Sequence, residues 1–412
     1  MNVRRVPPDK WLMLSTLCLV AIGVWLIYDT TYPTASLSKS CGWDACYYVK
    51  RQGPFALLGL GLALIMSRTP YWWLKRLAVP AWYIALILLV LVFVPAFGER
   101  ANGSLRWVKL PLIGLKMQPS EVAKLALVLF MARTIARWKG RAFHPRGAQK
   151  ELIGALAASC LLVVLEPDLG TALVIAGTWG ALALAGGIRA RTAALLLVVG
   201  LAGVAAVCAA SPYKRARLLA FRDPWSDYEG SGYQLIQSLV AIGSGGPFGV
   251  GVSKGVQKCF YLPEAHTDFV FSTLAEELGF IGCVAVIALF GLFVVRGMAI
   301  AHRAKDPFGT LLAVGITSWI GIQAALNIAV VCGAVPLTGV PLPFISYGGS
   351  SLVVTLASVG ILLSISRYPD AVMEESSAGR SVGGGDRRAR VPGARRVASA
   401  SEARRQRPVR WY

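Results

Sequence analysis

One stretch of the chain concentrates acid and imidazole groups directly before a long apolar run. Residues 261–282 read YLPEAHTDFVFSTLAEELGFIG and hold Asp268, His266 and three glutamates, in a protein where 15% of residues are charged. A carboxylate placed at such a point can accept a proton from a reacting hydroxyl group as a general base. Asp268 can equally cap the helix that the apolar run predicts, because aspartate is a preferred N-cap residue. These residues alone leave both interpretations open.

Two further segments place charged side chains at or inside apolar runs, where a charge costs at least about 2.5–3.5 kcal/mol. In QPSEVAK, Glu121 and Lys124 lie three residues apart on one helix face. They can form an ion pair at the interface, or Lys124 can reach into a polar cavity. In LEPDLGTA, Pro167 ends one predicted helix and Asp168 can cap the next. Capping does not explain the adjacent Glu166.

Basic residues are frequent in two segments that are predicted to lie outside the membrane. In NGSLRWVKLPLIGLKMQPSE, cations alternate with apolar residues, as in a segment lying along the membrane surface, and Arg106 can be an interface anchor or a ligand for an anion. The glycine-rich connection from Ser211 to Asp268 contains six basic residues. Binding of a phosphate group would explain this excess of positive charge. These six are Lys214, Arg215, Arg217, Arg222, Lys254 and Lys258.

The elements that must position these residues are membrane-spanning helices. The chain has 412 residues, of which 55% are hydrophobic, and apolar runs of spanning length recur along it. We therefore predict an all-α polytopic membrane protein with about ten transmembrane helices and a large outer loop between helices 7 and 8. The predicted spans are 11–28, 53–67, 79–97, 119–136, 151–165, 169–187, 192–210, 269–295, 307–333 and 349–366.

The distribution of Lys and Arg predicts the orientation. The short segments on the side of the N-terminus hold seventeen of these residues and the short loops on the other side hold seven, which indicates cytoplasmic N- and C-termini. Residues 1–368 form the predicted membrane domain. Residues 369–412 form a predicted disordered, Arg-rich cytoplasmic tail that is attracted to anionic lipids or docks a partner. Nucleic-acid binding is not expected, because the net charge of +21 comes largely from the orientation signal and this tail.

The spacing of the cysteines and histidines does not indicate a catalytic or metal-binding site. Cys41 and Cys46 lie in a predicted outer loop, where an oxidising compartment would permit a disulfide, although spacing does not establish one. Neither a metal-binding His–Asp pair nor a hydrolase triad is indicated. His144 and His302 are predicted on the opposite side of the membrane from His266.

These segments together resemble the SEDS family (shape, elongation, division and sporulation) of bacterial cell-wall proteins, which includes FtsW, RodA and SpoVE. The resemblance covers nearly all of residues 11–368 and is carried by NGSLRW, QPSEVAK, EPDLGTA, RLLAFRDPW, GSGYQLIQSLVAIGSGG, GVQKCFYLPEAHTDFVFSTLAEELG and GVPLPFISYGGSS. PEAHTDF with GSGYQLIQS is more similar to the division and sporulation branch, whereas GVPLPFISYGG also fits elongation proteins. The departures are Glu166, where many members carry Gln, and Arg222, where Leu is usual.

The resemblance implies a ten-helix peptidoglycan glycosyltransferase of the bacterial cytoplasmic (inner) membrane, which polymerises lipid II at the outer face. It implies that Asp268 is the catalytic residue. The residues that it places around the substrate are Glu121, Lys124, Asp168, Arg106 and Arg217, and His266 joins them as a neighbour of Asp268.

The implied reaction converts an α-linked donor into a β-linkage, so one inverting displacement with Asp268 as base needs no covalent enzyme intermediate. Cations, or a divalent metal ion (Mg²⁺ or Mn²⁺) held by Asp268, would neutralise the departing pyrophosphate. The resemblance also implies a class B penicillin-binding protein that contacts spans eight and nine, together with other cell-division proteins and membrane lipids.

Two other classes of function remain as alternatives. A lipid II flippase would also use ten helices and intramembrane charges, but it needs polar groups accessible from both faces. Asp268, Arg106 and Arg217 all map near the outer face, as Glu121 does. A structural scaffold for the division machinery would leave the outer carboxylates unexplained.

Overall fold

The computed structural model describes residues 5–101, 104–110, 115–138, 146–188, 221–228 and 232–368, and scattered positions between 190 and 230. The chain separates into two units, Met1–Val372 and Met373–Tyr412. The predicted tail 369–412 lies outside the described residues, as does most of the predicted seventh span, 192–210.

Helices dominate the described residues and confirm the polytopic membrane class. The long helices are α1 (Lys10–Ser36), α2 (Tyr47–Arg68), α3 (Trp73–Leu91), α4 (Pro119–Trp138), α5 (Arg146–Leu165), α6 (Leu169–Ala185), α7 (Tyr233–Gly245), α8 (Val270–Arg303), α9 (Pro307–Val331) and α10 (Gly349–Arg367). Nine of the ten predicted spans coincide with one of these helices, and α7 is a short helix within the predicted outer loop. Among the described helices, α1, α3, α8, α9 and α10 are long and apolar enough to cross a membrane by themselves.

Local sequence explains where several helices begin. The Asp9 carboxylate accepts hydrogen bonds from the backbone N–H groups of Trp11 and Leu12, at 3.1 and 3.0 Å, and caps α1. Asp306 caps α9 in the same way through the N–H of Gly309, with Pro307 in the first turn. Such caps satisfy amide groups that have no partner within the helix.

A small sheet is an addition to the predicted all-α class. Strands β1 (Gly98–Ala101), β2 (Ser104–Leu110) and β3 (Leu115–Met117) form an antiparallel sheet in the order β1-β2-β3. The alternation of cations and apolar residues that suggested a surface segment has the two-residue period of a strand. Val108 on β2 is fully buried, whereas Lys109 is exposed.

Helix α8 is interrupted at Gly279, which has a φ of 64°. The loop before it fills the break. The N–H groups of Val250 and Gly251 donate to the carbonyls of residues 276 and 277, and the N–H of Phe280 donates to the carbonyl of residue 246. A Cβ atom at Gly279 would lie 2.3 Å from the backbone nitrogen of Gly249, so the crossing requires glycine.

The helices differ in how much of their surface is buried. Most side chains of α4 and α9 are buried, so these two helices form the centre of the described bundle. Helix α3 has few buried side chains and exposes Ile84, Ile87 and Val90. Cys41 and Cys46, for which a disulfide was left open, are both free thiols.

Candidate active site

Asp268 lies just before α8 and not at its cap. The N-cap position belongs to Phe269, and no side chain caps the helix there. The helix begins at Val270, so the interpretation of Asp268 as its N-cap is wrong. The Asp268 side chain is half-buried. Capping of α8 therefore does not explain why an aspartate is present at position 268.

The backbone that carries Asp268 is held at three consecutive carbonyl groups. The carbonyls of residues 266–268 accept hydrogen bonds, in order, from the Tyr347 N–H at 2.9 Å, the Ser346 hydroxyl at 2.5 Å and the Asn327 side-chain amide at 2.8 Å. The donors come from α9 and from the segment before α10. Since these bonds fix the chain on both sides of the residue, Asp268 has a defined position without belonging to a helix.

The Asp268 carboxylate and the Arg106 guanidinium approach the same glycine. A Cβ atom at Gly339 would lie 3.4 Å from Asp268 Oδ2 and 3.8 Å from a terminal nitrogen of Arg106. Asp268 also lines a pocket together with Gln234, Asn327 and Gly339. An acid and a cation therefore flank one small pocket, which is the arrangement that proton abstraction beside an anionic group requires.

Arg106 extends from β2 to the connection between α5 and α6. Its guanidinium donates to the carbonyl oxygens of Glu166, at 3.4 Å, and Pro167. These carbonyls belong to the C-terminal end of α5, where a cation interacts favourably with the helix dipole. Arg106 is therefore more than an interface anchor, because it joins the sheet to the α5–α6 connection beside the pocket.

Two acidic residues of that connection have different roles. Asp168 caps α6: its carboxylate accepts from the Thr171 N–H at 3.1 Å and the Thr171 hydroxyl at 2.8 Å, which confirms the capping interpretation. Both carboxyl oxygens of Glu166 are buried without a hydrogen-bond partner in the described part of the chain. Burial and the nearby Asp168 raise the pKa of Glu166 to about 8, against the effect of Arg106. The raised pKa favours the neutral form of the Glu166 carboxyl group.

Glu121 and Lys124 form the predicted ion pair, but in the interior of the bundle and not at its surface. Lys124 Nζ lies 2.8 Å from Glu121 Oε1 and 2.6 Å from Gln323 Oε1, and both charged side chains are buried. Lys124 also lies over the ring of Trp319, 5.0 Å from its centroid. The second Glu121 oxygen accepts from the Ser351 hydroxyl at 3.0 Å.

One face of α9 links this ion pair to Asp268. Gln323 and Asn327 lie four residues apart, and their amides donate to the carbonyls of Pro341 and Val340 at 2.9 and 2.7 Å. Sequence reasoning missed both amides. The signal was present, because two amides one helical turn apart in the apolar stretch IGIQAALNIAVV are costly to bury without partners.

His266 belongs to an aromatic cluster. Its ring centroid lies 5.2 Å from that of Tyr48 and 5.6 Å from that of Tyr347. Burial lowers the pKa of His266, although the Glu264 carboxylate acts in the opposite direction, so the imidazole is neutral at pH 7. Arg217, the remaining predicted substrate ligand, lies outside the described residues.

Lys258 does not serve as the phosphate-binding cation that the sequence suggested. Its Nζ atom is 2.6 Å from Asp29 Oδ2 and also contacts Glu277 Oε1, with all three side chains buried. Glu276 accepts from the Val256 N–H at 2.8 Å. The two glutamates inside α8 therefore hold the preceding loop, whereas Lys254 and Arg222 remain exposed.

No group of three or more metal-ligating side chains comes together among the described residues. A site built by protein alone is therefore not present there. Mg²⁺ is often bound by one or two carboxylates together with substrate phosphates, and the half-buried Asp268 fits that donor set. The divalent cation stays a prediction.

Comparison with known proteins places the chain in a family. A model of the FtsW/RodA/SpoVE family, described as cell cycle protein, matches residues 10–371. Stage V sporulation protein E of Bacillus subtilis is 39% identical over 372 residues, 89% of this chain and 99% of that protein. A probable peptidoglycan glycosyltransferase FtsW of Halomonas elongata is 44% identical over 361 residues, 87% of this chain and 90% of that protein.

Solved structures show the same similarity. One match is a chain in a solved structure of a peptidoglycan synthase complex that coordinates polymerization and crosslinking. The TM-score is 0.70 and the identity is 32%, over 88% of this chain and 98% of that one. The rod shape determining protein RodA of Thermus thermophilus matches with a TM-score of 0.64 and 30% identity over the same shares. The fold and site thus define a polytopic membrane protein of bacterial cell-wall assembly. The chain belongs to the FtsW/RodA/SpoVE family.

Proposed function

We propose that this protein is a peptidoglycan glycosyltransferase that polymerises lipid II into glycan strands at the outer face of the bacterial cytoplasmic membrane. Relatives named for this activity are about 40% identical over most of the chain, which supports the proposal. The observation that carries it is the position of Asp268. This carboxylate is half-buried and borne on a backbone fixed by three hydrogen bonds, and both it and the Arg106 guanidinium lie close to Gly339.

In this mechanism, a hydroxyl oxygen of one sugar forms a bond to the anomeric carbon of another. The hydroxyl proton passes to the Asp268 carboxylate, and the bond between the anomeric carbon and the pyrophosphate oxygen breaks with its electron pair leaving on pyrophosphate. Attack from the face opposite the leaving group inverts the configuration. Arg106 supplies positive charge beside the pocket, which favours an anionic pyrophosphate there.

A divalent cation, Mg²⁺ or Mn²⁺, is part of the proposal. When bound, it would neutralise charge on the departing pyrophosphate. Asp268 would contribute a carboxylate oxygen and the substrate would contribute phosphate oxygens, which is the usual division of ligands for Mg²⁺.

We also propose a division-type role with a class B penicillin-binding protein as partner. The names of the relatives from Bacillus subtilis and Halomonas elongata, a sporulation protein and an FtsW, support this branch over the elongation branch. The excess of Lys and Arg on one side supports cytoplasmic termini and an outward-facing site.

The test of the catalytic assignment is Asp268→Asn. Asparagine keeps the shape and hydrogen bonding of the side chain but does not accept the proton, so polymerisation should fall by roughly 10²–10⁴-fold. Binding of lipid II should persist, because cationic groups hold the pyrophosphate. The measurement compares glycan products and lipid II affinity for the purified wild type and variant in lipid vesicles.

Asp306→Asn is the matched control. Asp306 is an N-cap at the other end of the helical bundle, and asparagine caps as well as aspartate, so this variant should polymerise normally. Glycan synthesis by Asp268→Asn at the wild-type rate would remove the assignment. A wild type that moves labelled lipid II across the vesicle membrane but makes no polymer would favour the flippase alternative.

A further inference from the structure

Asn327 has both of its amide hydrogens engaged. It is 2% exposed in the middle of α9, and its Nδ2 atom lies 2.8 Å from the carbonyl oxygen of Asp268 and 2.7 Å from that of Val340. A primary amide has two N–H donors. Because both contacts of Nδ2 are acceptors, exchanging the amide oxygen and nitrogen would place oxygen against oxygen. The orientation of the side chain is therefore determined.

Among the described residues, the other end of this amide has no partner. Asn327 Oδ1 is buried and accepts no hydrogen bond within the described part of the chain. A buried acceptor left unsatisfied costs about 1–3 kcal/mol, and native proteins seldom keep one without a reason. Ser238, by comparison, is buried beside the same helix and is fully bonded to Ser272 and the carbonyl of Val331, both at 2.8 Å.

Asn327 also lines the pocket that Asp268 lines. The same pocket is bordered by Gln234, Gly339 and Val340. The residue that carries this acceptor, unpartnered within the described part of the chain, therefore borders the space where the general base meets its substrate. Polar groups placed in this way fix the orientation of a ligand in a mostly apolar site.

We propose that Asn327 is a further substrate-binding residue, whose Oδ1 atom accepts a hydrogen bond from an O–H or N–H group of the acceptor sugar. The inference rests on the proposed function. The attacking hydroxyl has one hydrogen, which passes to Asp268, so the donor to Asn327 is a neighbouring hydroxyl or an amide N–H of the same hexosamine. Asn327 thereby orients the attacking oxygen, while its N–H groups hold the backbone of Asp268.

The test compares Asn327→Ser with Ser238→Ala. Serine keeps a hydroxyl donor on the side chain and adds no bulk, which limits the loss of stability, but it does not restore the Oδ1 acceptor. In Asn327→Ser, the O–H or N–H group of the acceptor sugar has no hydrogen-bond acceptor. Lipid II should therefore bind about 10- to 100-fold more weakly, and kcat/KM should fall at least as much. Ser238→Ala also loses buried hydrogen bonds, yet it should remain within about twofold of wild type in both measurements.

The separation of binding from rate provides a second readout. If Asn327 only held the backbone of Asp268, Asn327→Ser would lower kcat while its affinity for lipid II stayed at the wild-type value. A lost contact with the acceptor sugar weakens the affinity itself. Ser238→Ala, which loses buried hydrogen bonds outside the pocket, should keep the wild-type affinity.

Three outcomes would overturn the inference. The first is Asn327→Ser with wild-type affinity for lipid II, and the second is an equal loss of affinity in Asn327→Ser and Ser238→Ala. The third is a defect of Asn327→Ser that raised Mg²⁺ abolishes, which would make Oδ1 a cation ligand. A wild type that binds lipid II without polymerising it would contradict the proposed function, while the affinity comparison would still decide the role of Asn327.

Discussion

Lys124 is a charged residue in the interior of the helical bundle, where an ammonium group is unfavourable unless other groups pair with it. Removal of an ammonium group from water costs several kcal/mol, and a single carboxylate offsets this only when further hydrogen bonds are present. Lys124 has such support, because Glu121, the Gln323 amide oxygen and the Trp319 ring all contact it. Glu121 is stabilised in turn by the Ser351 hydroxyl. The group is therefore a connected unit and not an isolated pair.

We expect Lys124→Ala to have two separable effects. It leaves Glu121 buried and unpaired, which should destabilise the protein by about 3–5 kcal/mol, and it should also stop polymer synthesis. The double variant Glu121→Gln, Lys124→Met removes both charges at similar volume and should regain most of the stability. Thermal unfolding and glycan synthesis in vesicles measure the two effects. Normal polymer synthesis by the stable double variant would show that the charges serve folding alone.

At the scale of elements, the break in α8 depends on the loop that precedes it. Backbone bonds from residues 250 and 251 replace helical bonds at Gly279, and Glu277 binds the N–H groups of Ser253 and Gly255 at 3.1 and 3.2 Å. Lys258 then joins this loop to Asp29 on α1. Because the loop continues directly into residues 262–268, its attachment determines where Asp268 enters the site.

Lys258→Met should loosen this attachment. Burial opposes the lysine charge, but the hydrogen bonds with Asp29 and Glu277 raise the pKa of Lys258 above its ordinary value of 10.5. The charged lysine therefore stabilises the fold at every pH below 10.5, and that contribution is lost as the pH rises through the raised pKa. Removing it leaves two carboxylates facing each other, and we expect a loss of about 3–5 kcal/mol.

The measurements for Lys258→Met are thermal unfolding at neutral pH and proteolysis within the loop. Lys254→Met is the matched control, because Lys254 is an exposed lysine of the same loop and should change stability by about 0.5 kcal/mol or less. Equal unfolding temperatures for the two variants would contradict a stabilising role of the buried ion network.

At the scale of the whole molecule, the first described residues contact the end of α10. The Val6 N–H donates to the Arg367 carbonyl at 3.0 Å, and the Asp9 N–H donates to the Ser366 hydroxyl at 3.2 Å. The Asp9 carboxylate also pairs with Arg296 of α8. The beginning of α1 and the end of α10 therefore lie on one side of the bundle, as the proposal of two cytoplasmic termini requires.

An apolar stripe on α8 has the composition of a surface that packs against a partner helix. Phe280, Val284, Ile287 and Val295 are exposed and recur at helical spacing. Gly291 lies between the last two, and a Cβ atom built there would meet nothing within 4 Å. Small residues on such a face let a second helix approach closely. The predicted contribution of span nine is less favoured, because most side chains of α9 are buried.

Gly291→Trp should therefore weaken the proposed complex with a class B penicillin-binding protein. A bulky ring at the centre of the stripe would separate the two helices, and we expect co-purification to fall by about tenfold, corresponding to roughly 1.4 kcal/mol. Ile87→Trp on α3 is the control, because Ile87 is also exposed, on a helix outside the stripe. Co-purification that is unchanged by Gly291→Trp would exclude this surface.

The sequence by itself determined the features that depend on residues a few positions apart. Spans α1–α6 and α8–α10 follow from apolar runs, the Asp168 cap follows from its position before α6, and the Glu121–Lys124 pair follows from three-residue spacing. Family resemblance, and no local pattern, selected Asp268 over the other acidic residues.

Only the tertiary structure decided the contacts between distant segments. Lys258 meets Asp29 across 229 residues, and Asn327 meets the backbone of Asp268 across 59 residues. A lysine in a glycine-rich loop has the same local sequence whether it binds phosphate or a buried carboxylate. An amide in an apolar helix likewise does not reveal which of its atoms is left without a partner. Both outcomes depend on which groups packing brings within about 3 Å, and that distance is a property of the assembled bundle.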